Sequence, residues 1–277
     1  MRSYFTLFVF LSVNIALLQS QPLITISDYE TVLQHRFDSI LPSLPDSRKT
    51  ELNKSIEPLF AAALTLPEAF SYPFDSLKKV GRITSKDGKL RIFTWDLMVD
   101  DGSHHYTGMM LYRPGKDEKP MLFSLTDHKG SDSDPAMQML SPETWFGALY
   151  YEIIEKRWDD LTLYTLLGFD PNDIFTSRKI IDCLTMKDDT IPVFGAPVFR
   201  LKNKIQYRVI FEYSAKVSMS VRYNENIKMI VFDHLSPAKP SYTGSYQFYG
   251  PDFSYDALKF EDNQWVLIED IDVRNQW

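Results

Sequence analysis

The chain has 277 residues, 44% hydrophobic and 14% aromatic, with one cysteine and a formal net charge of −7. That composition excludes a disordered chain and a disulfide scaffold. The acidic balance excludes a nucleic-acid partner, which needs a basic stripe, and electrostatic docking on anionic lipid.

Met1-Arg2 supplies a positive start, Tyr4–Leu18 is almost wholly apolar, and small Ser20 stands where a signal peptidase cuts. A spanning helix needs about 20 apolar residues, and this run is shorter. Residues 1–20 therefore read as a signal peptide, with an uncleaved anchor or a buried helix as alternatives. Removal takes away one base, Arg2, and no acid. The expected product is residues 21–277, a single domain that is periplasmic or secreted and has no transmembrane anchor after signal cleavage. Cys183 lies too far along to be a lipid-anchored N-terminal cysteine.

A helical hairpin is expected over residues 21–70. Ser27 and Glu30 have capping-box spacing, and Leu33, Phe37, Ile40, Leu41 and Leu44 follow at helical intervals. Pro45-Asp46 breaks the run. Leu52, Ile56, Leu59, Phe60 and Ala63 then define a second stripe, and the short break favours antiparallel neighbours.

From about Lys78 the period becomes that of strands, and residues 78–273 read as an antiparallel β core. Lys86-Asp87-Gly88 predicts a turn with glycine at positive φ, followed by strands at Lys89–Met98, His104–Arg113 and Pro120–Thr126. Further strands are expected at Leu149–Lys156, Leu161–Gly168, Arg178–Met186, Tyr207–Ala215, Val217–Tyr223, Lys228–Asp233, Ser254–Phe260 and Trp265–Asp270. At Arg178–Met186 a short helix capped by Asp173 competes. Links of two to five residues are too short for parallel crossovers. The fold class is thus mainly β (α+β): a helical hairpin packed on an antiparallel β-meander forming a curved sheet or sandwich. A small β-propeller is the alternative.

Chemistry has few places to sit. In the polar loop Asp127–Pro135, Asp127, Asp132 and Asp134 offer hard oxygen ligands and His128 an imidazole. The EF-hand spacing is absent, so a solvated turn competes with a calcium site, and no other cofactor is indicated. Phe169–Asp173 reads as a turn. His104 and His105 point to opposite faces of a strand and cannot form a ligand pair. His234 follows Asp233 at a strand end, which suits a base but lacks a nucleophile. Cys183 lies in an apolar run, where burial is expected. Trp95, Trp145, Trp158 and Trp265 are candidates for stacking on sugars or for the core. The loop Tyr242–Tyr255, with Tyr242, Tyr246 and Tyr249 among glycines and a proline, is the better aromatic platform.

The segments at Tyr150–Asp173, RKIIDCLTM (Arg178–Met186) and PVFGAPVF (Pro192–Phe199) resemble a group of exported proteins of Bacteroidota-type bacteria. So do those at Arg208–Tyr223, IVFDHLSP (Ile230–Pro237) and Tyr249–Asn275. The resemblance covers roughly the second half of the chain. It implies envelope export and supplies no catalytic residues. The expectation is a non-catalytic binding or structural module of the envelope or periplasm, with an envelope protein or polysaccharide as partner. The alternative is a hydrolase of an envelope or dietary polymer working through paired carboxylates.

Overall fold

A computed structural model describes residues 25–127 and 134–272. The signal-peptide reading of residues 1–20, and His128 and Asp132 of the polar loop, lie outside the described residues. Helices α1 (Ile26–Ser39) and α2 (Asp46–Leu64) come first. Strands follow as β1 (Gly81–Thr84), β2 (Leu90–Met98), β3 (His104–Tyr112), β4 (Met121–Thr126), β5 (Leu149–Trp158), β6 (Leu161–Asp170), β7 (Thr176–Lys187) and β8 (Ile191–Phe194). The remainder are β9 (Phe199–Leu201), β10 (Lys204–Gln206), β11 (Val209–Ser214), β12 (Val221–Asn224), β13 (Met229–Pro237), β14 (Tyr249–Glu261) and β15 (Gln264–Ile268).

These strands form three sheets. Sheet 1 runs β1-β2-β3-β4, sheet 2 runs β11-β7-β6-β5 with β8 on β7, and sheet 3 runs β10-β9-β15-β14-β13-β12. Strand alternation stacks them into layers. On sheet 1, Phe93, Trp95, Met109 and Leu111 face the helical hairpin. Their neighbours Leu90, Ile92, Met110 and Tyr112 face sheet 2, against Tyr164, Leu166, Ile180 and Leu184. The opposite face of sheet 2, with Leu163, Leu167, Ile181 and Cys183, packs on Phe199, Ile230, Leu258 and Trp265 of sheet 3. Sheet 2 is apolar on both faces, so β6 and β7 read as continuous apolar runs.

The helical hairpin on antiparallel sheets stands as expected, and the sandwich has a third sheet. A propeller would need sheets 1 and 3 to pack face to face, but the face of sheet 1 turned away from sheet 2 is covered by helices. Every strand pairing is antiparallel except β9 with β15, which a long crossover separates. The Arg178–Met186 segment is strand β7, paired on both sides, and not a helix. Asp173 caps a turn instead, its Oδ1 accepting from the amides of Phe175 and Thr176 at 2.7 and 2.8 Å.

Two local expectations shift. The capping box of α1 is Thr25 with Asp28, bonded reciprocally. Glu30, one turn further in, is buried and accepts from Tyr72 Oη and the amide of Ser76, both at 2.6 Å. The expected alternation holds over Ser218–Tyr223, but Val217, placed on the inward face by the sequence, is exposed, and paired strand begins only at Val221. Turn chemistry follows the sequence. Gly88 has φ 69°, and Asp262-Asn263, with φ 48° and 61°, closes the two-residue hairpin between Glu261 and Gln264. None of the described helices is long and apolar enough to cross a membrane.

Candidate functional site

The tryptophans offered as a platform belong mostly to the core. Trp95, Trp145 and Trp265 are fully buried, and their indole N–H groups donate to Asn53 Oδ1, Tyr150 Oη and Thr165 Oγ1 at 2.8, 2.9 and 3.0 Å. A buried indole needs such a partner, and none is left to meet a ligand. Trp158 packs, partly buried, on the core between sheets 2 and 3. Cys183 is buried, as expected.

The polar loop separates into two roles. Asp127 Oδ2 accepts from the amide of Tyr106 at 3.1 Å, so this carboxylate is tied into sheet 1. Asp134 caps the short turn Pro135–Met137, accepting from the amide of Ala136 at 2.9 Å. Asp134 also lines a pocket of about 340 Å³ together with Arg178, Gln206, Glu212, Phe146 and Tyr246. Two sequence candidates, Asp134 and Tyr246, therefore meet, around a pair that sequence reasoning missed. Arg178 and Glu212 are cross-strand partners on β7 and β11, with Nε to Oε2 at 2.8 Å. Glu212 also accepts from Thr176 Oγ1 at 3.0 Å. Behind them Arg178 Nη1 lies 3.6 Å from the fully buried Asp170, which accepts from Tyr106 Oη and the amide of Asn172. Burial and the Asp170 carboxylate hold the Tyr106 phenol far above the usual tyrosine range, so it stays a donor.

Beside this pocket runs a groove of about 450 Å³, lined by Ile174, Phe175, Val217, Phe248, Tyr249 and Pro251 among others. The 3-10 turn Tyr246–Phe248 divides the two, with Tyr246 on the pocket side and Gln247 and Phe248 on the groove side. Its rings are ordered against one another. Tyr242 stacks on Phe248 at 4.3 Å between centroids, Tyr246 meets Tyr249 at 5.2 Å, and Tyr249 Oη accepts from the amide of Gly244 at 3.0 Å. Even so, Ile174 is 66% exposed, Phe175 58%, Tyr246 46% and Phe248 41%. So much apolar area on one end of a fold marks an interaction site.

Asp233 and His234 sit on β13 apart from Asp127. Asp233 Oδ2 accepts from the amide of Ser220 at 2.7 Å. His234 Nδ1 is 2.7 Å from Asp256 Oδ2 at a bulge where residues 252–254 of β14 oppose this one residue. Phe253 in that bulge has φ 73° and is 94% exposed, which is strained for a ring-bearing residue. The hydrogen bond to Asp256 raises the His234 pKa above its ordinary 6.5, against a smaller lowering by burial, with Asp256, Asp252 and Glu269 adding their charges. The stabilisation is therefore complete below about pH 6.5 and is lost as pH rises through the folded-state value. Asp256→Asn is expected to lower the His234 midpoint in an NMR titration; an unmoved midpoint would show that Asp256 is not its source.

A third concavity, of about 510 Å³, lies where the edge strands β1, β5 and β12 of the three sheets come together. Its groups cap one another's edges. Glu152 accepts from the amide of Tyr223 at 3.3 Å, Glu155 from the amide of Lys86, and Tyr151 Oη donates to the carbonyl of Val221 at 2.7 Å. Lys86 pairs with Glu225, and Lys156 Nζ lies 3.0 Å from Tyr223 Oη and over the Trp265 ring. Unpaired strand edges invite aggregation, and this mesh blunts three at once. Desolvation raises the carboxyl pKa values of Glu152 and Glu155 above the ordinary 4.5, against lowering by the amide each accepts. A raised carboxyl pKa penalises the ionised fold, so the penalty is absent below about pH 4.5 and grows as pH rises. Glu152→Gln keeps an acceptor, and is expected to raise the urea midpoint at pH 7 but not at pH 4. An equal gain at both values would sink this electrostatic account.

Among the described residues no group of three or more His, Cys, Asp or Glu side chains is placed to hold a metal. Comparison with protein-family models, with curated proteins and with solved structures gives no match.

Proposed function

We propose that this chain is an exported binding module of the envelope or periplasm, which engages its partner through the face formed by the Arg178–Glu212 pocket and the adjoining aromatic groove. The observation that carries the reading is the concentration of exposed Ile174, Phe175, Tyr246 and Phe248 around two adjoining cavities. The exposed parts of these side chains cost solubility, and a binding role accounts for them. Export is supported by the charged start, apolar run and Ser20 of residues 1–20.

Phe175→Ala with Phe248→Ala is expected to keep the fold at a cost of about 1 kcal/mol, since Phe175 is mostly exposed and Phe248 gives up mainly its stack on Tyr242. Retention of the protein by isolated cell-envelope material should fall at least tenfold. Undiminished retention would remove the face from consideration. For export, the secreted protein is expected to begin at Gln21 by N-terminal sequencing; a chain still beginning at Met1 would refute cleavage.

The hydrolase reading is favoured by the glutamates of the edge groove, Glu152, Glu155 and Glu225. Each is already engaged as an edge cap or ion pair. If the protein cleaves a polymer and Glu152→Gln with Glu155→Gln abolishes that cleavage while the fold persists, the enzyme reading replaces the binder.

A further inference from the structure

We infer that the ligand of this face is an uncharged oligosaccharide, lying across the Tyr246–Phe248 turn with sugar faces on the exposed rings and hydroxyls in the Arg178–Glu212 pocket. The inference rests on the binding-face reading above and adds the chemistry of the ligand.

The two cavities ask for different things of one ligand. The groove offers apolar rings: Phe175 is mostly exposed, and Phe248 is partly exposed and held by its stack on Tyr242. Aromatic side chains lose little conformational entropy on binding, and Phe248 is already fixed by its partner ring. The pocket offers planar polar groups at Arg178, Glu212, Gln206 and Asp134. Arg178 is oriented from two sides, by Glu212 and by buried Asp170, and Glu212 by Arg178 and Thr176. Pre-oriented polar groups suit a ligand with several hydroxyls, because each donor and acceptor finds a counterpart on desolvation. An apolar peptide segment would satisfy the groove but offer nothing to the Gln206 amide or to the hydrogen-bonding capacity that Arg178 and Glu212 retain beyond their own pairing, which is costly. A pyranose chain presents C–H faces and hydroxyl rims together. Volumes of about 450 and 340 Å³ fall in the range of small-ligand sites.

Charge selects further. Asp134, Glu212 and the underlying Asp170 face a single guanidinium, Arg178, in the pocket. An acidic sugar would add like charge there, so uronate polymers are disfavoured.

The test is amide chemical-shift mapping on the purified exported protein with cellohexaose, xylohexaose, maltohexaose, mannohexaose and hexagalacturonate. At least one neutral hexamer is expected to shift amides of Tyr246–Gly250 and Gln206–Glu212, and hexagalacturonate none. Phe248→Ala and Gln206→Ala should each weaken that binding at least tenfold, with spectra otherwise unchanged. A flat response to every hexamer, shifts confined to other surfaces, or equal binding of hexagalacturonate would overturn the proposal. A flat panel with envelope retention still lost in the Phe175/Phe248 variant would leave the face standing and remove only the glycan. Retention unaffected as well would remove both.

Discussion

Arg208→Ala is expected to lower stability by about 3–5 kcal/mol, because it strands a charge at the centre of the fold. Arg208 and Asp182 are both fully buried, with Nε to Oδ1 at 3.2 Å. Asp182 also accepts from the amide of Cys183 at 2.8 Å and from Tyr150 Oη at 3.3 Å, and that hydroxyl in turn accepts from Trp145. Burial, reinforced by Asp182, keeps the Tyr150 phenol protonated. On its other side Arg208 donates to the carbonyls of Pro135 and Gln138, which anchors the segment leading from Asp134. Gly195 permits that approach: its φ is 83°, and a Cβ there would lie 2.6 Å from the Gln138 carbonyl. The variant should show a lower urea midpoint with an unchanged slope. Asp182→Leu with Arg208→Met, which removes both charges, should recover much of the loss, since a buried pair contributes little against an apolar replacement. A midpoint unmoved by Arg208→Ala would mean that water reaches the pair.

Phe60→Ala should cost a similar amount, about 3–5 kcal/mol, for a different reason. Phe60 of α2 is fully buried and its ring meets Phe74, Phe93 and Trp95 at 5.6, 5.1 and 5.6 Å between centroids. Truncation leaves a cavity between the helical hairpin and sheet 1 that these rings cannot collapse to fill. The comparison is Val32→Ala on the outer side of α1, where Val32 is exposed and the change should stay within about 0.5 kcal/mol. Equal midpoints for the two variants would show that the hairpin rests on sheet 1 without being part of its core.

Much of the local structure was legible because it is set by neighbours in sequence. Leu52, Ile56, Phe60 and Ala63 recur at helical spacing and all are buried on one face of α2. Asp262-Asn263 and Gly88 adopt the positive φ that their residue types tolerate. Thr25 and Ser27 both precede an acid three residues on, and one spacing cannot choose between two registers.

The candidate site was half legible. Tyr246 and Asp134 are conspicuous by composition, an aromatic in a glycine-containing loop and an acid in a polar one. Nothing nearby in sequence announces Arg178 or Glu212, which become partners only because β11 pairs with β7 across the crossover through β8, β9 and β10. The same holds for Asp182 with Arg208, and for the three edges that meet at Glu152 and Glu155. By itself the sequence determined a helical hairpin followed by short antiparallel strands, where each strand's alternation says which residues turn inward. Only the tertiary structure decided which sheet each inward face meets, that sheet 2 is covered on both sides, and which distant charges are buried together. Periodicity is a property of adjacent residues, whereas the partner of a buried face or charge is chosen by packing over the whole chain.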